Sequence, residues 1–302
     1  MSSISTLSLI VVTFGRKTEP LECIAQIVDQ ECSAFEVVLV DNNENKSTSE
    51  YIAERLNKID DSRIRYFKTP KNLGVTGGRN FGISKAKGDI LVFIDDDAFF
   101  ENTDACQMVH REFSRNDNLG VLSFKIINYY SKRIERGEFP HRDKKLHPDK
   151  QFETTYFIGT GHAIKREVFE KVGGYADDFF YGMEELDLSF KVMDMGYQIF
   201  YFPAVIVWHK QSPSGRLDDK QKWQKYLENR IKVGIRNLPW RYVLISCVIW
   251  SGKSLYDTRD FRVLLRAGTH IWRDRKALLK SRKVIQPKTV QKLRKMKGRL
   301  YF

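Results

Sequence analysis

The stretch Leu91-Val92-Phe93-Ile94-Asp95-Asp96-Asp97-Ala98-Phe99 decides the fold. Four apolar residues describe a buried strand, and three consecutive acids stand where that strand must emerge into solvent. In an open α/β sheet, ligands bind in the crevice beyond the carboxyl ends of the strands, so acids placed there face whatever the sheet holds. Crowded carboxylates repel one another unless a cation neutralises them, and hard oxygen ligands favour Mg²⁺ or Mn²⁺. A solvated acidic turn capping the next helix is the alternative, and the rest of the chain has to discriminate.

Upstream, residues 7–14 read as a buried strand closing on Thr13-Phe14-Gly15-Arg16, and a helical pattern starts at Thr18 and runs through Ile24, Ile27 and Val28. Residues 36–40 give a second strand, which again ends in polar groups at Asp41-Asn42-Asn43. Residues 47–59 read as helix, 63–68 as a third strand, and 77–87 as a helix before the strand that ends at the acids. Strand alternating with helix at this interval predicts right-handed βαβ units and an α/β fold with a mostly parallel sheet flanked by helices. Between the third and fourth strands lies Asn72-Leu73-Gly74-Val75-Thr76-Gly77-Gly78-Arg79-Asn80-Phe81-Gly82. Glycines at a helix start let backbone approach a ligand, and free N–H groups beside Arg79 favour phosphate. The Gly-Lys-Ser/Thr ending of a Walker loop is missing, and Gly82 reads as a packing glycine.

Downstream, residues 103–114 read as helix and 120–128 as strand. Residues 129–152 are charged and irregular, with Lys132, Arg133, Arg136, Arg142, Lys144 and Lys145. A mobile segment near an acceptor is expected there, with plain disorder as the alternative. Order returns over 152–164, centred on Gly159-Thr160-Gly161-His162, followed by a short helix at 166–172 and the turn Gly173-Gly174-Tyr175. Five acids then fall within the eleven residues from Asp177 to Asp187. Leu188, Val192 and Met195 share one face of a helix, which places Glu184, Glu185 and Asp187 in its first turn. One or two acids would satisfy the positive helix end, so a second cluster joined to aromatics points to chemistry. A strand over 198–208 delivers His209 to its end.

The chain of 302 residues is long enough for a large core, and its 42% hydrophobic and 13% aromatic content describes a folded protein. Cys23, Cys32, Cys106 and Cys247 show no metal spacing and point to a reducing, cytosolic setting. No signal peptide is expected, because no basic region precedes a long apolar run. The apolar run 243–250 is far short of the ~20 residues a spanning helix needs. The net charge of +13 lies wholly in residues 259–302, which hold fifteen Lys or Arg against two Asp. That asymmetry predicts an anionic partner, nucleic acid or an acidic membrane face. From about Leu217 the pattern turns helical, with Trp223, Leu227, Ile231, Ile235 and Leu238 in register. Trp240, Tyr242 and Trp250 flank an apolar core, and aromatics followed by basic helices suit a membrane interface, against ordinary packing on the preceding residues. Two units are therefore expected, a nucleotide-binding region at 1–216 and a basic helical region at 217–302.

The assembled motifs resemble the family 2 glycosyltransferases of the GT-A fold over about residues 7–212. They are Thr13-Phe14-Gly15-Arg16, Val40-Asp41-Asn42, Asn72-Leu73-Gly74 through Gly82, Phe93 to Asp97, Gly173-Gly174-Tyr175 and Glu184-Glu185-Leu186-Asp187-Leu188. Bacterial members that add rhamnose or related sugars to surface polysaccharides are similar also at Val207-Trp208-His209-Lys210. The resemblance implies that Thr13 and Asp41 contact the base, that Arg79 and Asn80 lie near the diphosphate or donor sugar, and that Asp95 approaches the ribose and sugar. Arg16, Asn72 and Asp96 join this donor-binding set. It further implies a divalent cation, Mg²⁺ or Mn²⁺, on Asp97, with His209 as an additional metal or diphosphate contact. Glu185 aligns with the catalytic base, but the usual Glu-Asp pair is here Glu184-Glu185, so both remain candidates. The implied reaction is inverting transfer from a nucleotide-sugar donor, dTDP-rhamnose-like or a UDP-sugar, to a hydroxyl of a glycan or lipid-linked acceptor. A lipid-linked acceptor at the cytoplasmic face of the cell membrane would suit the basic C-terminal region, so peripheral binding there is expected. A nucleotidyltransferase leaves the second acidic helix unexplained. A nucleic-acid-binding protein is disfavoured because the tail alternates Lys and Arg with Leu and Val and shows no nucleic-acid motif.

Overall fold

A computed structural model describes residues 6–32, 34–143 and 145–301, so Lys144 of the charged segment lies outside the described residues. The elements run β1 (Leu7–Thr13), α1 (Glu19–Val28), β2 (Phe35–Asp41), α2 (Lys46–Ile59), β3 (Ile64–Lys68), α3 (Gly74–Lys85), β4 (Ile90–Ile94), β5 (Ala98–Phe100), α4 (Ala105–Arg115) and β6 (Leu119–Asn128). They continue with a 3-10 turn at Arg136–Glu138, then β7 (Phe152–Thr154), β8 (Gly161–Lys165), α5 (Arg166–Lys171), α6 (Glu184–Asp194) and β9 (Gln198–His209). Helices α7 (Asp219–Asn237), α8 (Trp240–Thr258), α9 (Arg262–Lys280) and α10 (Pro287–Lys295) follow.

Among the described residues, one sheet of nine strands in the order β3-β2-β1-β4-β8-β6-β9-β5, with β7 also on β9, organises the fold. The parallel βαβ pattern read from the sequence describes β3-β2-β1-β4. The second half is mixed: β8 runs antiparallel between β4 and β6, and β5 and β7 run antiparallel to β9. Period-two and buried-run patterns identify a strand but not its direction, which the connections decide. Strands such as β1 and β4 are mostly apolar and almost wholly buried because helices cover both faces, giving one apolar layer that includes Leu9, Val37 and Val92 and another that includes Ile10, Val38 and Phe93.

Helix α3 packs closely on the sheet. A Cβ on Gly82 would lie 2.7 Å from Ile10 Cγ2, and one on Gly78 would lie 2.5 Å from Val12 Cγ1. These glycines set the height of α3 above β1, so the packing reading of Gly82 holds. The segment 129–152 is not an open loop: Glu138 and Phe139 are buried, and the Phe139 ring meets Tyr201 with centroids 5.3 Å apart. Its apolar residues were hidden among charges, which is why sequence reading expected mobility there.

The C-terminal helices lean on α6. Asn237 Nδ2 donates to Asp187 Oδ1 at 2.7 Å, and Asp187 also pairs with Lys191 at 2.6 Å. The expected apolar stripe of α7 is only partly buried at Trp223, Ile231 and Ile235, while Gln224, Glu228, Asn229, Arg230, Lys232 and Arg236 are buried. A helix enclosed by α6, α8 and α9 buries its polar face wherever partners exist, and Lys232 meets Asp178 and Asp274 at 3.2 and 3.0 Å. No helix among the described residues is long and apolar enough to cross a membrane.

Candidate active site

The site forms where strand ends converge. The β5–β9 register sets Ala98 opposite His209, which brings the imidazole beside Asp97. On the other side β4 pairs with β8 at Ile94 and Gly161, and Asp95 N donates to Thr160 O at 3.1 Å. A cavity of about 450 Å³ opens over these ends, lined by Phe14, Arg16, Asn72, Arg79, Asp95, Asp96, Asp97 and His209 among others. A second cavity of about 410 Å³ shares Arg79, Asp95, Thr160, Tyr181 and Tyr226 with it and adds Glu184, Glu185 and Trp250.

One atom each of Asp95, Asp97 and His209 lies within 4.8 Å of the others, a set able to hold a metal ion. His209 Nδ1 is hydrogen-bonded to Glu138, which leaves Nε2 facing Asp97 Oδ1 at 3.3 Å. An imidazole oriented through its far nitrogen by a carboxylate is the usual outer support of a metal ligand, and two carboxylates with one imidazole suit Mn²⁺ or Mg²⁺. Protein cations balance the acids as they stand: Arg16 pairs with Asp96 and, at 3.1 Å, with Asp97, and Arg216 lies 3.7 Å from Asp97. Burial works against ionising Asp97, but the His209 hydrogen bond and charge, with Arg16 and Arg216, bring it down to about 2. Burial likewise opposes charging His209, and Asp97 and Glu138 overcome it, raising the imidazole to about 10. Asp96 behaves differently. Buried, with Oδ2 lacking a partner among the described residues, it is pushed up to about 7 despite Arg16.

Arg79 joins this cluster to the second one. Its guanidinium, 4% exposed as a residue, reaches Glu185 at 3.0 Å, Glu184 at 3.2 Å and Asp95 at 3.5 Å, and donates to Gly159 O at 3.0 Å. The pair of glutamates is split by burial: the Glu184 side chain is 3% exposed and the Glu185 side chain 18%. Burial, and then the charge of Glu185, hold Glu184 well above the usual carboxylate range. Glu185 owes its place to a glycine, since a Cβ on Gly159 would overlap its Oε1. The turn before α6 is left-handed at Gly182 and Met183, with φ of 80° and 72°. Asn229 of α7 fixes that turn by donating to Tyr181 O at 2.9 Å and Gly182 O at 2.7 Å. His162 stays uncharged through burial, hydrogen-bonding Tyr175 Oη at 2.8 Å beneath Gly159.

Of the twelve site residues read from the sequence, Arg16, Asn72, Arg79, Asp95, Asp96, Asp97, Glu184, Glu185 and His209 line the two cavities. Thr13, Asp41 and Asn80 do not. Thr13 and Asp41 are fully buried, Asp41 accepts from Asn43 at 2.7 Å and from Tyr66 Oη at 2.6 Å, and Asn43 in turn accepts from Gly15 N at 2.6 Å. Asn80 turns away to donate to Tyr175 O at 3.1 Å and Asp177 at 2.7 Å. Sequence reading missed Glu138, Arg216, Tyr226, Asn229 and Trp250. None stands in a motif, and only the fold brings them to the site.

The mixed sheet, its acid-lined crevice and the second carboxylate pair define an α/β enzyme of the GT-A fold. Residues 8–173 match the model of Glycosyl transferase family 2, and the chain belongs to that family. An uncharacterized protein of Haemophilus influenzae is 37% identical over 168 residues, 55% of this chain and 91% of that protein. A GalNAc(5)-diNAcBac-PP-undecaprenol beta-1,3-glucosyltransferase of Campylobacter jejuni is 35% identical over 92 residues, 30% of this chain and 29% of that enzyme. In fold, the chain is similar to the mannosyltransferase PcManGT of Pyrobaculum calidifontis, solved in complex with GDP-Man and Mn²⁺. The TM-score is 0.59 at 19% identity, covering 77% of this chain and 64% of that one.

Proposed function

We propose that this glycosyltransferase moves a hexose from a nucleoside-diphosphate sugar to an acceptor hydroxyl with inversion at the anomeric carbon. The observation that carries the reading is Arg79, which spans a metal-fit cluster at Asp95, Asp97 and His209 and a carboxylate pair at Glu184 and Glu185. A nucleotidyltransferase has no role for that second pair. Val12, Phe14, Asn72 and Gly74 line the donor cavity. Arg16 and Arg216 offer charge to a diphosphate there. A divalent cation on Asp95, Asp97 and His209 would neutralise charge growing on the departing diphosphate. Thr13, Asp41 and Asn80 support the site from behind by fixing the strand ends and the α3 position.

Glu185 is the base. Both glutamates line the cavity, but Glu185 is the more open of the two, whereas Glu184 is buried and its carboxyl is held well above the usual carboxylate range. The Glu185 carboxylate takes the acceptor hydroxyl proton as that oxygen bonds to the anomeric carbon and the sugar–phosphate bond breaks. Mn²⁺ with GDP-Man in the mannosyltransferase structure, and the lipid-linked name of the Campylobacter enzyme, support donor and acceptor classes of this kind.

The basic region 217–302 serves a second purpose in this reading, holding the enzyme at the anionic cytoplasmic face of the cell membrane. Leu244, Val248 and Tyr256 of α8 and Leu265, Trp272 and Leu279 of α9 are exposed, with Arg262, Arg266, Arg273 and Lys280 beside them in sequence. Exposed apolar side chains flanked by cations suit interfacial binding to acidic lipid.

Thermal shift with Mn²⁺ or Mg²⁺ and a panel of nucleotide sugars tests the donor site. A metal-dependent rise in Tm with one donor, lost in Asp97→Ala, is expected. No shift with any donor overturns the reading.

A further inference from the structure

Three arginines gather where the C-terminal segment meets the acceptor-side cavity, and none forms an ion pair among the described residues. Arg299 lines that cavity with Glu185, Tyr226 and Trp250, its guanidinium 3.9 Å from the centroid of the Tyr156 ring. Behind it Arg230 of α7 is 1% exposed. Arg230 Nη2 donates to Arg299 O at 3.0 Å and Ser246 Oγ at 3.3 Å, while Nε and Nη1 have no hydrogen-bond partner among the described residues. Arg142 completes the group. Burial, then the charges of Arg299 and Arg142, push Arg230 down to about 9. The residues next to Arg299, Gly298 and Leu300, line a further cavity of about 580 Å³ with Arg142, Lys145, Arg294 and Lys297, whose one acid, Asp143, is taken up by Lys297 at 3.2 Å.

The fold neutralises its other buried cations. Arg79 has Glu185 and Asp95, Lys232 has Asp178 and Asp274, and Arg236 meets Asp178 at 2.5 Å. Burying a charge without a partner is expensive, so a guanidinium left in that state beside two more implies that the missing charge arrives with a ligand. The planar fork of arginine matches oxyanions that carry two acceptor oxygens.

We propose that Arg299, with Arg142 beside it and Arg230 behind, recognises an oxyanion carried by the acceptor: a phosphate of a lipid-linked acceptor or the carboxylate of an acidic sugar. This rests on the acceptor occupying the Glu185 side of the site. It gives the C-terminal region a part in acceptor choice in addition to any membrane contact. The acceptor hydroxyl then lies at Glu185 while its charged group is held at Arg299, which fixes the acceptor at two points and limits which hydroxyl meets the base.

The test is calorimetric titration of the full chain in EDTA with farnesyl diphosphate, inorganic pyrophosphate and glucuronic acid, for wild type, Arg299→Gln, Arg299→Lys and Arg142→Gln. At least one anion should bind wild type and lose about tenfold in affinity in Arg299→Gln, less in Arg299→Lys, and a smaller factor in the exposed Arg142→Gln. Loss confined to the diphosphates assigns a phosphate-bearing acceptor, and loss confined to glucuronic acid assigns an acidic sugar. Equal affinities in wild type and Arg299→Gln for all three overturn the proposal. The donor-dependent thermal shift, measured on the same samples, separates the two readings. If it persists in Arg299→Gln, a lost anion is local to the acceptor side; if wild type lacks it, the donor reading fails by itself.

Discussion

The guanidinium of Arg79 donates to Glu185 Oε1 at 3.0 Å while its other end stands 3.5 Å from Asp95. One buried side chain from α3 thereby sets the distance between the strand-end acids and the acids of α6. Burial disfavours the charge of Arg79, but Tyr175, Glu185, Glu184 and Asp95 more than offset it and raise its proton affinity. Arg79→Met leaves buried carboxylates without their counter-charge. It should lower stability by roughly 3 kcal/mol or more, read from denaturant melts. A melt within 0.5 kcal/mol of wild type, the scale of an ordinary surface substitution, would show that solvent already compensates the acids.

Gly159 and Glu185 make a matched pair. Gly159→Ala puts a methyl group where Glu185 Oε1 now sits, so the carboxylate must move by about the 1 Å that can cost 10²-fold in rate. Glu185→Gln removes the proposed base and should lower kcat by about 10² to 10⁴, with the donor-dependent thermal shift retained. Initial rates with the identified donor decide it; equal rates in Glu185→Gln and wild type would move the base elsewhere.

Glu184 supplies a pH signature. Its folded-state value is raised above the ordinary 4.5, first by burial and then by the Glu185 charge. The folded chain then keeps a proton that the unfolded chain releases. That contribution to stability is fully present below pH 4.5 and is lost as pH rises through the raised value, at up to about 1.4 kcal/mol per pH unit. Glu184→Gln cannot titrate, so its stability should fall less than that of wild type over this window. Parallel curves in urea melts would show that Glu184 ionises normally.

The exposed apolar side chains of α8 and α9 predict a lipid-binding defect. Replacing Val248 and Trp272 by Ser, both well exposed at 75% and 68%, should weaken sedimentation with anionic vesicles while leaving the melt unchanged. Binding should also weaken with salt, as expected for a basic surface. Unchanged sedimentation of the double variant would assign these residues to another contact.

Much of the catalytic half was legible from the chain. Apolar runs ending in acids at Asp41 and at Asp95 to Asp97 mark strand ends, because both faces of such strands are covered and only their ends meet solvent. Sequence reading also found the Glu184 and Glu185 turn, and it located His209 at the close of the last strand. It did not give strand direction, and so it overstated how parallel the sheet is. Nor did it foresee Glu138, which sits in a segment whose charges hide its buried residues.

Residue type and order along the chain thus determined the acids, the α/β alternation and the basic C-terminal region, because burial of apolar runs and exposure of charge act locally. Tertiary structure alone decided that Glu185 is left more open than Glu184, that Thr13 and Asp41 lie behind the cavity, and that Arg230 and Arg299 meet beside Tyr156. Those outcomes depend on strand register and on helices from distant parts of the chain closing over one turn. Charge and desolvation act there through space, over distances that sequence separation does not encode.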